Sequence, residues 1–232
     1  ALGLVPDLYT GGYELITTID EHIQEASIKA IQKGLLSYDR KHGYRISRNL
    51  LEANGVENEI VENIQTDLSR YASLATENSI NALLSAQADV ESSISKASRT
   101  ALKALLKLIP TYNEIEASIT IFVAQDYAIV CRANGDLRKL NLSDSLWARR
   151  YIDVDTRGPK IQSMKSILEV GDLTYIERDG LDWKLSQIPL IEGASITMDP
   201  NTGQIKALVG GFDFHRNQYN HAMQAKRQPG SG

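Results

Sequence analysis

Leu173-Thr174-Tyr175-Ile176-Glu177-Arg178-Asp179-Gly180-Leu181-Asp182-Trp183-Lys184-Leu185-Ser186-Gln187 is the stretch whose reading decides the fold. Two β-rich runs flank Asp179-Gly180, a dipeptide suited to the positive φ angles of a tight hairpin turn. In the second run Leu181, Trp183 and Leu185 alternate with Asp182, Lys184 and Ser186. That period of two belongs to an antiparallel strand with one face on a core and the other in water. Working outward, Ala117 to Val123 and Tyr127 to Arg132 are further strand runs, and Asn134-Gly135 marks another tight turn before Leu137 to Leu142. Five short strands of this kind suit a small antiparallel barrel, and an OB-like barrel is one such solution. Between the hairpins, Trp147 to Lys165, with Gly158-Pro159 inside it, reads as a longer surface connection.

Upstream the texture is helical. Residues 12 to 19 are β-branched and aromatic and predict a strand, and Asp20 follows as a helix N-cap. Ile23, Ala26, Ala30, Ile31 and Leu35 then recur at helical spacing to about Tyr38. A second stripe comprises Val56, Ile60, Val61, Ile64, Leu68 and Tyr71, with Asn54 and Glu57 spaced as a capping box. A third helical region runs from about Glu77 to Leu108 and is closed by Pro110. Such stripes are packing faces far more often than binding faces. Downstream, Ala194 to Met198 and Gln204 to Val209 read as strands joined by Asp199-Pro200-Asn201-Thr202-Gly203. This hairpin opens a new domain, and the stretch from Gly193 to Gly232 is too short to build a core alone. The expected architecture is α+β: a strand plus helical linker region (1–111), an OB-like barrel (112–192), and a hairpin opening a further domain (193–232).

Composition narrows the function. The 232 residues carry a net charge of -4, with 42% hydrophobic and 23% charged residues, as in an ordinary soluble globular protein. No apolar run approaches the roughly 20 residues that span a bilayer, and no signal peptide is visible at Ala1 to Pro6. Cys131 is the single cysteine, within the apolar run Tyr127 to Cys131, which reads as a buried inert thiol. His22, His42, His215 and His221 lack metal-ligand spacing, so neither a metal nor any other cofactor is expected. An OB-like barrel raises the possibility of single-stranded nucleic acid, bound through aromatic rings in a basic groove. Between Tyr112 and Glu192, however, 10 Lys and Arg face 13 Asp and Glu. The aromatic residues there (Phe122, Tyr127, Trp147, Tyr151, Tyr175, Trp183) sit mostly within apolar runs and read as core. No nucleic-acid partner is expected.

The last stretch carries the chemistry. Ala207-Leu208-Val209-Gly210-Gly211-Phe212-Asp213-Phe214 is followed by Asn220 and by Gln224-Ala225-Lys226-Arg227-Gln228-Pro229-Gly230-Ser231. This pattern resembles class A penicillin-binding proteins of the 1a type, bifunctional enzymes that polymerise and cross-link peptidoglycan. Trp147-Ala148-Arg149 and Gln187-Ile188-Pro189 look like landmarks of that family's OB-like domain. Thr17-Thr18-Ile19-Asp20 and Tyr38-Asp39-Arg40-Lys41-His42-Gly43-Tyr44 match its linker. The resemblance is weakest from Ile46 to about Leu108. It implies that Ser231 is the acylated nucleophile of a Ser-x-x-Lys motif and that the hairpin starts a transpeptidase sheet. It also implies that the OB-like domain docks a lipoprotein activator or other cell-wall proteins, and that the site lies on the periplasmic side of the inner membrane.

Two departures temper what this sequence is expected to do by itself. After Ser231 comes only Gly232, so the activating lysine is not in the sequence, and neither are the Ser-x-Asn and Lys-Thr-Gly elements. A serine hydroxyl without a base is a weak nucleophile. The expectation is a non-catalytic part of a peptidoglycan synthase, separated from its anchor and glycosyltransferase domain. His221 stands where the family more often has Arg. The competing readings are an oligonucleotide-binding OB protein and an enzyme active as it stands.

Overall fold

The computed structural model describes residues 11–14, 16–45, 100, 103–104, 106–107, 109–134 and 136–226. They fall into two compact units, Leu36–Leu190 and the pairing of Ala1–Leu35 with Ile191–Gly232.

The larger unit is built on one antiparallel sheet: β1 (Ile115–Val123), β2 (Tyr127–Arg132), β3 (Leu137–Asn141), β4 (Leu173–Asp179) and β5 (Asp182–Ser186), in the order β3-β2-β1-β4-β5. The sheet curls. The β1–β2 register shifts between Thr120 and Phe122, leaving Ile121 as the extra residue of a bulge that bends and twists the strand. The edge strands β3 and β5 are thereby brought close to each other. The result is the OB-like half-barrel expected from the strand pattern.

Both faces of the sheet are covered. Ala128, Val130, Leu140, Ile176 and Leu185 point into the barrel, where Tyr44, Met164 and Ile167 complete the core. The central strand makes room for these plugs with small residues. Ser118 pairs with Thr174 and Thr120 with Val130 on the inner face, and Ser118, Thr120 and Thr174 are all fully buried. Ser118 Oγ donates to the Thr174 carbonyl at 3.2 Å, and the Tyr44 hydroxyl meets Thr174 Oγ1 at 2.8 Å, so the hydroxyls of Ser118, Thr174 and Tyr44 are partnered, whereas buried Thr120 Oγ1 has no hydrogen-bond partner among the described residues. On the outer face, Ile119 stands between Cys131 and Leu173, and Tyr112 packs on Tyr175. Leu106 and Ile109 are buried too, just ahead of Tyr112.

Several expectations need correction. Trp147 to Lys165 is not merely a surface connection: Ala148 and Met164 are fully buried and Ile161 nearly so, while Tyr151 bridges Arg157. The β4–β5 turn lies one residue later than read, since Asp179 pairs with Asp182. Gly180, at φ +64°, and Leu181 therefore form the turn, and Leu181 is 94% exposed instead of starting the buried face. Of the six aromatic residues read as core, only Tyr127 and Tyr175 are buried; the others are half-buried. The two helical stripes at 56–71 and 77–108 lie outside the described residues, apart from helical Thr100, Lys103, Ala104, Leu106 and Lys107.

The smaller unit holds the first part of α1 (Glu21–Arg40) and the hairpin of β6 (Ser195–Met198) and β7 (Ile205–Val209). Asp20 caps α1 as expected, accepting from Ile23 N at 3.0 Å. The apolar stripe is displaced: Ile23, Ala26 and Ala30 face solvent, while the buried side runs through Gln24, Ile28, Gln32 and Leu35. Residues 12–19 contain no regular strand among those described. Instead Thr18 Oγ1 donates to the Ile205 carbonyl at 2.7 Å and Asp20 N to that of Lys206 at 2.9 Å, so the segment runs beside β7 with too few bonds for a ladder. In the β6–β7 turn the Asp199 carboxylate accepts from Asn201 N at 2.8 Å and Thr202 N at 3.1 Å. Those backbone donors hold its pKa below the ordinary carboxylate value.

Burial of Cys131 raises its thiol pKa to about 11, with Lys103 opposing and Asp136 assisting the shift. At pH 8 only about 0.1% is then thiolate. Labelling with a thiol reagent is expected to run at least ~100-fold slower in the folded chain than in urea. Equal rates in the two states contradict this environment.

Candidate functional site

The family landmarks that sequence reading found far apart converge in the larger unit. The last turn of α1 delivers Asp39, whose side chain is 4% exposed. Arg45 binds it with two nitrogens, Nη1 to Oδ1 at 3.2 Å and Nη2 to Oδ2 at 2.6 Å. Gln187 Nε2 donates to Oδ2 at 2.7 Å, and Leu190 N donates to Oδ1 at 3.2 Å. Gln187 also donates to the Gly43 carbonyl at 2.8 Å and accepts from Arg45 N at 3.0 Å. Arg45 Nη2 reaches the Ile188 carbonyl at 3.0 Å. A buried carboxylate needs this density of donors, because an unpartnered charge there is costly.

Tyr44 continues the junction into the barrel. Its N donates to the Arg149 carbonyl at 2.6 Å, and Tyr151 N donates to the Tyr44 carbonyl at 2.9 Å. The ring meets Trp147 edge-on, with centroids 5.7 Å apart. Gly43 is required here: its φ is +105°, and a Cβ would lie 2.6 Å from the Arg149 carbonyl oxygen. Arg40 sits over the Trp147 ring at 5.1 Å and pairs with Glu177 at 2.6 Å. The site is therefore a structural junction of Tyr38–Tyr44, Trp147–Arg149 and Gln187–Pro189, with its polar groups turned toward one another.

Aromatic rings of the barrel are engaged in the same manner. Arg132 stacks on Trp183 at 4.2 Å and Lys139 on Tyr127 at 4.4 Å. Glu116 chelates Arg132; this bond leads the causes that raise the guanidinium pKa, against opposition from burial.

In the smaller unit, α1 grips the end of β7 and the run beyond it. Gln24 Nε2 donates to the Leu208 carbonyl at 3.1 Å while its Oε1 accepts from Leu208 N at 2.8 Å. Gln32 Nε2 donates to the Phe212 carbonyl at 3.0 Å. Glu192 accepts from Phe212 N at 2.7 Å and pairs with Arg216 at 3.5 Å. Asn220 folds back against Gly210, where a Cβ would lie 2.7 Å from its Cγ, and His221 N donates to the Gly210 carbonyl. The His221 ring rests on Tyr219. A cleft of about 430 Å³ lies beside this run, between Gln24 and Gln32 on one side and Phe214 and Tyr219 on the other. Ser231, the expected nucleophile, lies outside the described residues. Sequence reading assigned no role to Gln24, Gln32 or Glu192. The usable signal was two amides eight positions apart on one helical face.

Among the described residues no three His, Cys, Asp or Glu side chains are grouped to hold a metal ion. No helix among them is long and apolar enough to cross a membrane.

A curled five-stranded sheet sealed by this junction defines the class: residues 85–191 match the penicillin-binding protein OB-like domain, and the chain carries that domain. Within the class, the similarity is to penicillin-binding protein 1A. The protein of that name from Escherichia coli (strain K12) is 29% identical over 223 residues, covering 96% of this chain and 22% of the relative. That of Vibrio cholerae is 30% identical over 228 residues, covering 96% and 23%. The crystal structure of penicillin-binding protein 1A from Haemophilus influenzae shares the fold, with a TM-score of 0.59 and 21% identity over 92% of this chain and 24% of that one. The resemblance to class A proteins of the 1a type thus holds along nearly the whole chain, which spans about a fifth of the length of these relatives.

Replacing Asp39 with Ala leaves Arg45 and Gln187 facing each other without their acceptor. A loss of about 3–5 kcal/mol is expected in urea unfolding followed by circular dichroism. Gly43→Ala is expected to lose at least ~1–3 kcal/mol from its backbone conformation alone, whereas Gly180→Asn, at an open turn position, stays near wild type.

Proposed function

We propose that this chain is the linker (1–111), OB-like module (112–192) and opening transpeptidase hairpin (193–232) of a bifunctional peptidoglycan synthase of the bacterial cell wall. The observation that carries the reading is the junction around Asp39 and Tyr44, where the linker and OB-like landmarks of the family interlock. In the intact protein, anchored in the inner membrane and facing the periplasm, Ser231 attacks the D-Ala-D-Ala carbonyl of a stem peptide. The acyl-enzyme so formed is then resolved by a second amine, and β-lactams acylate the same oxygen. A lysine three residues beyond Ser231 supplies the base. The glycosyltransferase activity belongs to another domain.

The OB-like module does no chemistry in this reading and serves as a docking element for a lipoprotein activator or other cell-wall proteins. Two features support it over binding of a nucleic-acid strand: the acidic balance of the segment and the cations already stacked on Trp183 and Tyr127.

Labelling with a fluorescent penicillin tests the catalytic part. The intact synthase is expected to label and its Ser231→Ala variant to stay dark. Labelling of that variant, or of the 232-residue chain by itself, overturns the assignment. For docking, the immobilised chain is expected to retain a cell-envelope protein, identified by mass spectrometry. It is expected to show no retention of single-stranded DNA at low salt.

A further inference from the structure

We infer that the cleft between α1 and the run after β7 is a binding site for an uncharged chain of N-acetylated sugars. The site is read from the chemistry of its own lining; that the sugar chain belongs to the cell wall rests on the synthase reading above.

The cleft lies wholly within the smaller unit and encloses about 430 Å³, a size that suits a small ligand. Its lining joins apolar Ile28 and Leu208 to two aromatic rings, Phe214 and Tyr219, which are 66% and 43% exposed. The face of an aromatic ring carries partial negative charge. The outward C–H groups of a sugar ring carry the opposite sign, so a sugar covers such a face while its hydroxyls stay free to hydrogen-bond.

The polar part of the lining is dominated by amides. Gln218 is exposed and its side chain makes no hydrogen bond among the described residues. Asn217 spends its Oδ1 on Tyr219 N at 3.0 Å, and Asn220 spends its own on Ala222 N at 3.0 Å. Each keeps an Nδ2 donor. An amide side chain offers a donor and an acceptor together, which is the complement of an acetamido group.

Charge excludes the other occupants. Among the described residues no Lys or Arg lines the cleft, Asp213 is its one carboxylate, and His215 is its one group able to carry positive charge. Arg216, in the same run, is turned to Glu192 at 3.5 Å. A nucleic-acid strand or a peptide carboxylate calls for cations at the site, whereas a neutral sugar chain does not. The run is also fixed in advance. Asn217 N donates to the Asp213 carbonyl at 3.1 Å, and His221 N closes the base of the loop on the Gly210 carbonyl at 2.8 Å. Preorganisation of that sort favours binding, because little freedom remains to be lost.

The test is a titration of the isotopically labelled chain with a β-1,4-linked tetramer of N-acetylglucosamine, followed by amide NMR shifts. The tetramer is expected to shift the amides of 208–220, and cellotetraose and an acylated D-Ala-D-Ala peptide to leave them in place. Phe214→Ala and Tyr219→Ala are each expected to weaken binding about tenfold with the thermal midpoint unchanged, while Phe214→Trp, which keeps a ring, binds as wild type. Absent or scattered shifts, an equal response to cellotetraose or to the peptide, or the same loss in both Phe214 variants overturns the inference. In the intact synthase, a photo-crosslinking p-benzoylphenylalanine in place of Gln218 is expected to capture the tetramer. Capture of the synthase's own peptide instead assigns the cleft to the chain beyond Gly232 and overturns the inference as well. Penicillin labelling of the intact synthase reports separately: if it fails while the tetramer binds, the synthase reading falls and the sugar site stands.

Discussion

The Asp39 carboxylate is almost wholly buried, and the larger unit is organised around keeping it satisfied. Its donors come from two stretches distant in sequence, Arg45 just beyond α1 and Gln187 with Leu190 just beyond β5. A buried ion pair contributes little net stability over an apolar substitute, yet losing one partner is expensive. Such a knot therefore acts on specificity: it admits one arrangement of the chain before β1 relative to the chain after β5. The Gly43 conformation and the Tyr44 hydrogen bonds on both sides of Arg149–Tyr151 follow from that arrangement. Tyr44 then enters the barrel, where its hydroxyl meets Thr174 Oγ1 on the inner face of β4.

What was legible in the sequence was local. Each strand of the barrel and of the later hairpin was readable from β-branched runs, and Asp20 from its place before a helical stripe, because those signals act over a few residues. Errors arose where tertiary contacts override local pattern. Leu181 fits the alternation of a strand, but the two-residue turn claims it. The α1 stripe is rotated because its glutamines, polar by composition, are wanted on the buried side to bond main chain. Met164 and Ala148 looked like loop residues since a connection that dives into a core has no period to reveal it. The Asp39 junction was visible only as family resemblance. Its bonds span more than 140 positions, and no spacing rule reaches that far.

The smaller unit solves a different problem with different chemistry. A two-stranded hairpin is marginal without a covering element, and α1 covers it with amides instead of an apolar stripe alone. An amide carries a donor and an acceptor together, so Gln24 can engage both main-chain groups of Leu208 as a neighbouring strand residue would. A carboxylate at that position would lack the donor, and a leucine would leave both groups unmet. Because Gln24 and Gln32 bind backbone and not side chains, they hold the path of residues 208–212 whatever side chains it carries.

The two units thus spend their polar side chains on fixing geometry. In the barrel, Asp39, Arg45, Gln187, Arg40 and Glu177 are bound to one another or to main chain. None of them is left as a base or nucleophile aimed at an open cleft, which is what a catalytic centre requires. The β4–β5 tip differs from these: Leu181 stands outward on a turn in which Gly180 holds φ at +64°.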